Sequence, residues 1–77
     1  MVVQLFGPLA EQAGTTQLEI RCGGTTVGEV VQAAARTLPS LRLDPSVRFA
    51  LNAEYAEPSA SVREGDVVSL IPPVGGG

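Results

Sequence analysis

Residues 26–39 read TVGEVVQAAARTLP and hold the one long amphipathic helix that the sequence predicts. Thr26 and Glu29 fit a capping box, so we expect the helix to begin there, and Pro39 ends it. Apolar residues follow at i, i+3, i+4, i+7 and i+11, on one helical face: Val27, Val30, Val31, Ala34 and Leu38. A sheet packed against that face is the simplest arrangement that buries it.

Two-residue alternation predicts β-strands at residues 2–6, 16–21 and 47–51. A short returning strand at 54–56 follows the Asn52-Ala53 turn, and an apolar strand at 67–71 follows the tight turn at 63–66. A short helical turn at 9–13, closed by Gly14, is predicted between the first two strands. The order strand, strand, helix, strand, short strand, strand predicts an α+β roll, in which a mixed β-sheet packs on one main helix.

The composition limits both the domain count and the partners. A chain of 77 residues allows one small domain, which we place at residues 1–71, with an extended tail at 72–77. The net charge is -3, and the five arginines are scattered, which argues against nucleic acid as a partner. No uncharged run is long enough to span a membrane and no signal peptide begins the chain, so we expect a cytoplasmic protein.

The side chains that usually carry catalysis are scarce. The chain has no histidine and one cysteine, Cys22, which sits beside the Gly23-Gly24 turn and is interpreted as a small residue at a strand end. Without histidine, the commonest general base is absent and no metal cluster is expected. We therefore do not expect an autonomous enzyme, and the role of Cys22 stays open.

The carboxyl-terminal segment 72–77 reads PPVGGG and directly follows the last predicted strand. Prolines cannot donate to a sheet ladder and favour an extended chain, so the segment is predicted to project from the domain. Six residues reach about 20 Å. Glycines carry no side chain, so we expect a flexible, slender tail that can enter a narrow channel in another protein.

Two segments, LNAEY at 51–55 and REGDVVSLIPPVGGG at 63–77, closely resemble the small subunit of molybdopterin synthase. These small subunits are the MoaD-type sulfur carriers of the MoaD/ThiS family. The resemblance extends to Leu5-Phe6 and to residues 11–14, and so spans the chain. It implies the ubiquitin-like β-grasp fold.

The resemblance also implies a chemistry. The carboxylate of Gly77 would be adenylated by a ubiquitin-activating-enzyme-like (MoeB-type) adenylyltransferase, and a sulfur donor protein would convert it to a thiocarboxylate. Inside the large synthase subunit (MoaE-type), this group would give its sulfur to cyclic pyranopterin monophosphate. The chain would bind no cofactor itself, since the partner uses the ATP.

The functional residues are carried over by position from the same resemblance. Gly75, Gly76 and Gly77 form the tail, and Gly77 is the group that is modified. The residues implied to contact partners are Phe6, Tyr55, Ile71, Pro72, Pro73 and Val74. The alternative interpretation of Phe6, Tyr55 and Ile71 is ordinary core or scattered surface residues. This chain departs from many members at Ala10, where they carry a basic residue, and at Gly75, where they carry Ser, Ala or Thr.

Other functions remain open at this point. A ThiS-type carrier for the thiamine thiazole can end in Val-Gly-Gly-Gly, although the Pro72-Pro73 pair argues against it, and a carrier for tRNA thiolation would use identical tail chemistry. A non-carrier β-grasp interaction module and an amide-forming ubiquitin-like modifier are alternatives of another class.

Overall fold

The structure is a computed structural model that describes residues 1–21, 26–41, 43 and 45–72. Its elements follow the predicted order. They are β1 (Val2–Leu5), α1 (Pro8–Ala13), β2 (Gln17–Glu19), α2 (Val27–Thr37), β3 (Arg48–Leu51), β4 (Glu54–Ala56) and β5 (Val67–Ile71). The Cys22 turn and the segment from Pro73 to Gly77 lie outside the described residues.

The five strands form one mixed sheet in the order β2-β1-β5-β3-β4. β1 and β5 pair in parallel at the centre, with Val3 opposite Val68 and Leu5 opposite Leu70. The other three pairings are antiparallel. The first and last strands of the chain are therefore neighbours, and the mixed sheet predicted from the sequence is confirmed.

The start of α2 shows why the helix begins at Thr26. The Thr26 hydroxyl oxygen accepts from the Glu29 amide at 3.4 Å, and Glu29 Oε1 accepts from the Thr26 amide at 3.2 Å. The next two amides donate outside the helix, Val27 to the Ala60 carbonyl and Gly28 to the Pro58 carbonyl, both at 2.9 Å. The amides that a helix start leaves unpaired thus gain partners.

The hydrophobic core lies between α2 and the central strands. The buried stripe of the helix is Val27, Val30, Val31 and Ala34, and the strands contribute Val3, Leu5, Val68 and Leu70. Leu38, the last member of the predicted stripe, is the C-cap and is only partly buried. Each fully buried Val or Leu side chain contributes about 1.5–3 kcal/mol. This layer is therefore the main source of stability.

The strand ends differ from the predicted ones. β3 begins at Arg48 rather than at Val47, although the Val47 side chain is buried. Arg48 lies opposite Ile71, so continuing the register would place Val47 opposite Pro72. Because Pro72 has no amide hydrogen, the ladder stops there.

Candidate functional site

α2 covers one face of the sheet, and the alternate side chains of the same strands lie on the other face, which we call the open face. On the open face, four residues form one row across four neighbouring strands. Tyr55 lies opposite Ala50, Ala50 opposite Ser69, and Ser69 opposite Gln4. On β5, Val67 and Ile71 flank Ser69 on this face, because strand side chains alternate.

The open face contains a cleft of about 510 Å³, the open-face cleft. It is lined by Gln4, Phe6, Ala50, Asn52, Ala53, Tyr55, Val67, Ser69 and Ile71. Most of these side chains are apolar, which is typical of a surface that binds another molecule. A second cleft of about 600 Å³, lined in part by Arg48 and Glu57, lies on the other side of Tyr55.

Three of the predicted interface residues meet at the open-face cleft. Phe6 is 46% exposed and Tyr55 72% exposed, and they are the two exposed large hydrophobic side chains in the described part of the chain. Ile71 is partly buried beside them. Phe6 and Tyr55 are therefore not core residues, and exposed apolar side chains gathered at one place mark an interaction site. Their role as a partner interface stays a prediction.

The tail starts beside this cleft. Pro72 follows Ile71 and is partly buried, and its Cγ lies 3.6 Å from the position that a Cβ on Gly7 would occupy. Gly7 adopts φ 53° and ψ -131°, a conformation that glycine adopts readily and other residues rarely do. The remaining predicted tail and interface residues, Pro73, Val74, Gly75, Gly76 and Gly77, lie outside the described residues.

The floor of the cleft consists of residues that the sequence analysis did not single out. Ala50 is 4% exposed and Ser69 7% exposed. The Ser69 hydroxyl donates to Gln4 Oε1 at 3.5 Å, a long hydrogen bond. The sequence did contain a signal for this site. The two central, parallel strands β1 and β5 would be apolar throughout if both their faces were buried, but each carries a polar residue, Gln4 and Ser69.

One end of the cleft is formed by the turn between β3 and β4. Asn52 and Ala53 have φ values of 50° and 71°, so both adopt the left-handed conformation of a tight hairpin turn. Asn52 Nδ2 donates to Asp66 Oδ1 at 3.1 Å, and Asn52 Oδ1 accepts from the Val67 amide at 2.9 Å. These hydrogen bonds fix the turn against the start of β5.

Asp66 is the group whose acidity this arrangement changes. The hydrogen bond from Asn52, followed by that from the Arg63 amide, lowers the pKa of the Asp66 carboxyl below its ordinary value of 3.8. Both donors favour the ionised form. Asp66 is thus held as a carboxylate at neutral pH and serves the turn structure.

Over the described ranges of the chain, no group of three or more His, Cys, Asp or Glu side chains is arranged to hold a metal ion. Among the helices formed in those ranges, none has the length and apolar character needed to cross a membrane.

A mixed five-stranded sheet with one main helix and this strand order defines the ubiquitin-like β-grasp class. The model of the ThiS family matches residues 3–77, and the chain belongs to this family. The ThiS/MoaD family consists of small ubiquitin-like sulfur carriers that are not catalytic in themselves. The fold and the family inferred from sequence are thereby confirmed.

Solved structures of three relatives have the same fold as this chain. The chain is similar to SAMP1 from Haloferax volcanii, with 29% identity over 99% of this chain and 97% of that one, and a TM-score of 0.87. It is also similar to a chain in the complex of subunits 1 and 2 of molybdopterin-converting factor from Helicobacter pylori, with 26% identity, coverage of 99% and 96%, and a TM-score of 0.71.

The third relative is a putative molybdopterin-converting factor subunit 1 from Pyrococcus furiosus. It has 24% identity, 95% coverage of each chain and a TM-score of 0.82, which supports the fold. The Helicobacter pylori structure is a complex of subunits 1 and 2, so that relative assembles with a second protein.

Proposed function

We propose that this chain is the sulfur carrier of molybdenum-cofactor biosynthesis and that its working group is the carboxylate of Gly77. The observation that carries the proposal is the place where the last strand ends. β5 forms part of the open-face cleft and leads through Pro72 into the glycine-rich segment. A protein that binds the open face is therefore placed within reach of the tail.

The chemistry requires two steps on partner proteins. In the first, a carboxylate oxygen of Gly77 attacks the α-phosphorus of ATP and pyrophosphate leaves, which gives an acyl adenylate. In the second, hydrosulfide released by a donor protein attacks the carbonyl carbon, AMP leaves and a proton is lost, which gives a thiocarboxylate. Adenylation is needed because a free carboxylate is a poor electrophile, whereas AMP is a good leaving group.

The open face supports partner recognition in both steps. Phe6, Tyr55 and Ile71 offer aromatic and aliphatic surface at one place, as interface anchors do. From Pro72, the five following residues span at most about 17 Å. The reactive centre of the adenylyltransferase, and later that of the large synthase subunit, is therefore expected within that distance of the cleft.

The test is the intact mass of the chain after incubation with ATP, an adenylyltransferase of the MoeB type and a sulfur donor protein. We expect the mass increase of one sulfur replacing one oxygen, located in the C-terminal peptide. Gly76→Ala and deletion of Gly77 should leave the fold unchanged and abolish sulfur transfer. Normal sulfur delivery by the Gly77 deletion would overturn the proposal.

A protein modifier is the second candidate, and the similarity to SAMP1, the small archaeal modifier protein 1, favours it. The same acyl adenylate would then be attacked by a lysine amine instead of sulfur, with loss of AMP and formation of an amide. Gly77 joined to lysine in tryptic peptides from cells would support the modifier. A thiocarboxylate at Gly77 without such conjugates would support the carrier.

The sulfur acceptor separates the remaining pathways. The thiocarboxylated chain is incubated with a large synthase subunit and cyclic pyranopterin monophosphate, and in parallel with a thiazole synthase or a tRNA-thiolating enzyme. We expect sulfur transfer in the first reaction. Transfer only in one of the others would assign the chain to the thiamine or tRNA pathway.

A further inference from the structure

We propose that the floor of the open-face cleft is a pocket for one aliphatic side chain, of about leucine size, on the adenylyltransferase that takes the tail. The side-chain amide nitrogen of Gln4 would donate to the backbone beside that side chain. Ala50 and Ser69 are then specificity-determining residues, because their small size creates the pocket. The inference rests on the proposed function only for the identity of the partner.

The shape of the cleft leaves room for a protruding side chain. Across the row, two small residues, Ala50 and Ser69, lie between the larger Tyr55 and Gln4. Neighbouring strands are about 4.8 Å apart, so Tyr55 and Gln4 are separated by about 14 Å at the backbone. Phe6 and Ile71 line the cleft towards the tail. A depression with a small-residue floor and larger walls accepts a protruding side chain.

The polar pair in the cleft, Gln4 and Ser69, indicates what must lie beside that side chain. Within the described residues, the Gln4 side chain has one hydrogen bond, in which Gln4 Oε1 accepts from Ser69, and its amide nitrogen donates to no other group there. A wholly apolar partner would remove water from that nitrogen and leave it unpaired, which costs binding free energy. The occupant therefore needs a hydrogen-bond acceptor next to its aliphatic group, such as a backbone carbonyl.

The attachment of the tail directly after Ile71 indicates which protein supplies the side chain. Ile71 lines the cleft and Pro72 follows at its edge, while five further residues continue beyond the described chain. These residues span at most about 17 Å, so a protein that takes their end must lie close to the open face. The aliphatic side chain is thus expected on the same protein surface that receives the tail.

The direct test titrates the ¹⁵N-labelled full chain with N-acetyl-leucine methylamide and follows amide chemical shifts. We expect a dissociation constant on the order of 1–10 mM, with shifts concentrated at Gln4, Ala50, Tyr55 and Ser69. N-acetyl-glycine methylamide, which lacks the side chain, should bind at least tenfold more weakly. Equal binding of the two compounds, or shifts centred outside the cleft, would overturn the proposal.

Substitutions of the residues that line the cleft test whether they form the pocket. Ala50→Leu fills the pocket and should weaken binding of the leucine compound at least tenfold, whereas Val2→Leu, on the open face but outside the cleft lining, should leave it unchanged. Gln4→Met keeps the length of the side chain and removes its amide, and should weaken binding about threefold to tenfold. If Ala50→Leu bound the leucine compound as tightly as the parent chain, the pocket would be contradicted. Should Ala50→Leu fail to fold, Ser69→Val takes its place in the same test.

The same variants connect the pocket to the protein partner. Folded Ala50→Leu should bind the MoeB-type adenylyltransferase at least tenfold more weakly than the parent chain, and Val2→Leu should bind it normally. Equal binding by the parent and Ala50→Leu would overturn the assignment of the occupant. The leucine titration requires no modification of Gly77, so a failure of the carrier chemistry and a failure of the pocket are distinguishable.

Discussion

The side-chain amide of Asn52 donates to Oδ1 of Asp66 across 3.1 Å, and this hydrogen bond joins two turns that lie 14 residues apart in sequence. Oδ2 of Asp66 accepts from the Arg63 amide at 2.8 Å. Asn52 in turn accepts from the Val67 amide and lines the open-face cleft. The geometry of the cleft at this end therefore depends on the pair.

The lowered pKa of Asp66 predicts a loss of stability in acid. Because the pKa is lower in the folded state than in the unfolded state, the contribution of Asp66 is complete above its ordinary value of 3.8 and is lost as the pH falls through the folded value. Urea unfolding from about pH 6 to about pH 3 measures this. Asp66→Asn should show a shallower fall in the free energy of unfolding over that range. Identical curves for the two chains would contradict this role.

Replacing Asn52 should separate backbone strain from hydrogen bonding. Asn52→Gly keeps the left-handed conformation at φ 50° and removes the side-chain bonds, at a cost of about 1–3 kcal/mol. Asn52→Ala loses the same bonds and adds about 1 kcal/mol of strain. Thermal unfolding should rank the parent chain above Asn52→Gly and Asn52→Ala last. Equal stability of the two variants would argue against strain at this position.

Gly28 should resist replacement although it lies in a helix. A Cβ there would lie 3.2 Å from the Pro58 carbonyl oxygen, which also accepts from the Gly28 amide at 2.9 Å. We expect Gly28→Ala to be less stable than the parent chain by about 1 kcal/mol, since the contact outweighs the better helix propensity of alanine. Chemical denaturation measures the difference.

The matched control is Gln32, an exposed position of the same helix. There Gln32→Ala should be more stable than Gln32→Gly by about 1 kcal/mol, because propensity alone decides. If alanine also proved the more stable residue at position 28, the close approach of Pro58 would be unimportant.

Tyr55→Ala should weaken partner binding and leave the stability of the chain almost unchanged. The Tyr55 side chain is 72% exposed, so its removal should change the free energy of unfolding by no more than about 0.5 kcal/mol. Binding to the adenylyltransferase should weaken at least tenfold, as expected for an aromatic anchor, about 1.4 kcal/mol or more. Glu64→Ala, exposed and outside the cleft lining, is the control and should bind normally. Full affinity in Tyr55→Ala would exclude the open face as the interface.

Local patterns in the sequence were enough to predict most of the fold. The capping box at Thr26 and Glu29 and the apolar stripe of α2 predicted the helix. Alternation predicted β1, β2 and β3, whereas β4 and β5 were predicted from the turns that precede them and, for β5, from its apolar content. The order of the strands could not be derived in this way. The parallel pairing of β1 with β5 joins segments more than 60 residues apart, and such pairing depends on packing over the whole chain.

The candidate site was predicted only in part. Phe6, Tyr55 and Ile71 were expected at an interface from the resemblance, and the structure places them around one cleft. Its floor at Ala50 and Ser69 was missed, because a small residue in a strand looks the same in sequence whether it fills a core or floors a pocket. The Asn52–Asp66 bond was missed because it joins two separate turns.

On the proposed mechanism, other proteins activate the carboxylate of Gly77 and load it with sulfur. The most direct test is the mass of the C-terminal peptide of this chain isolated from cells under conditions that preserve thiocarboxylates. We predict a fraction in which one oxygen of Gly77 is replaced by sulfur, and its absence from cells that lack the adenylyltransferase. A peptide that always carries an unmodified carboxylate, while the chain still supports sulfur transfer, would contradict this mechanism.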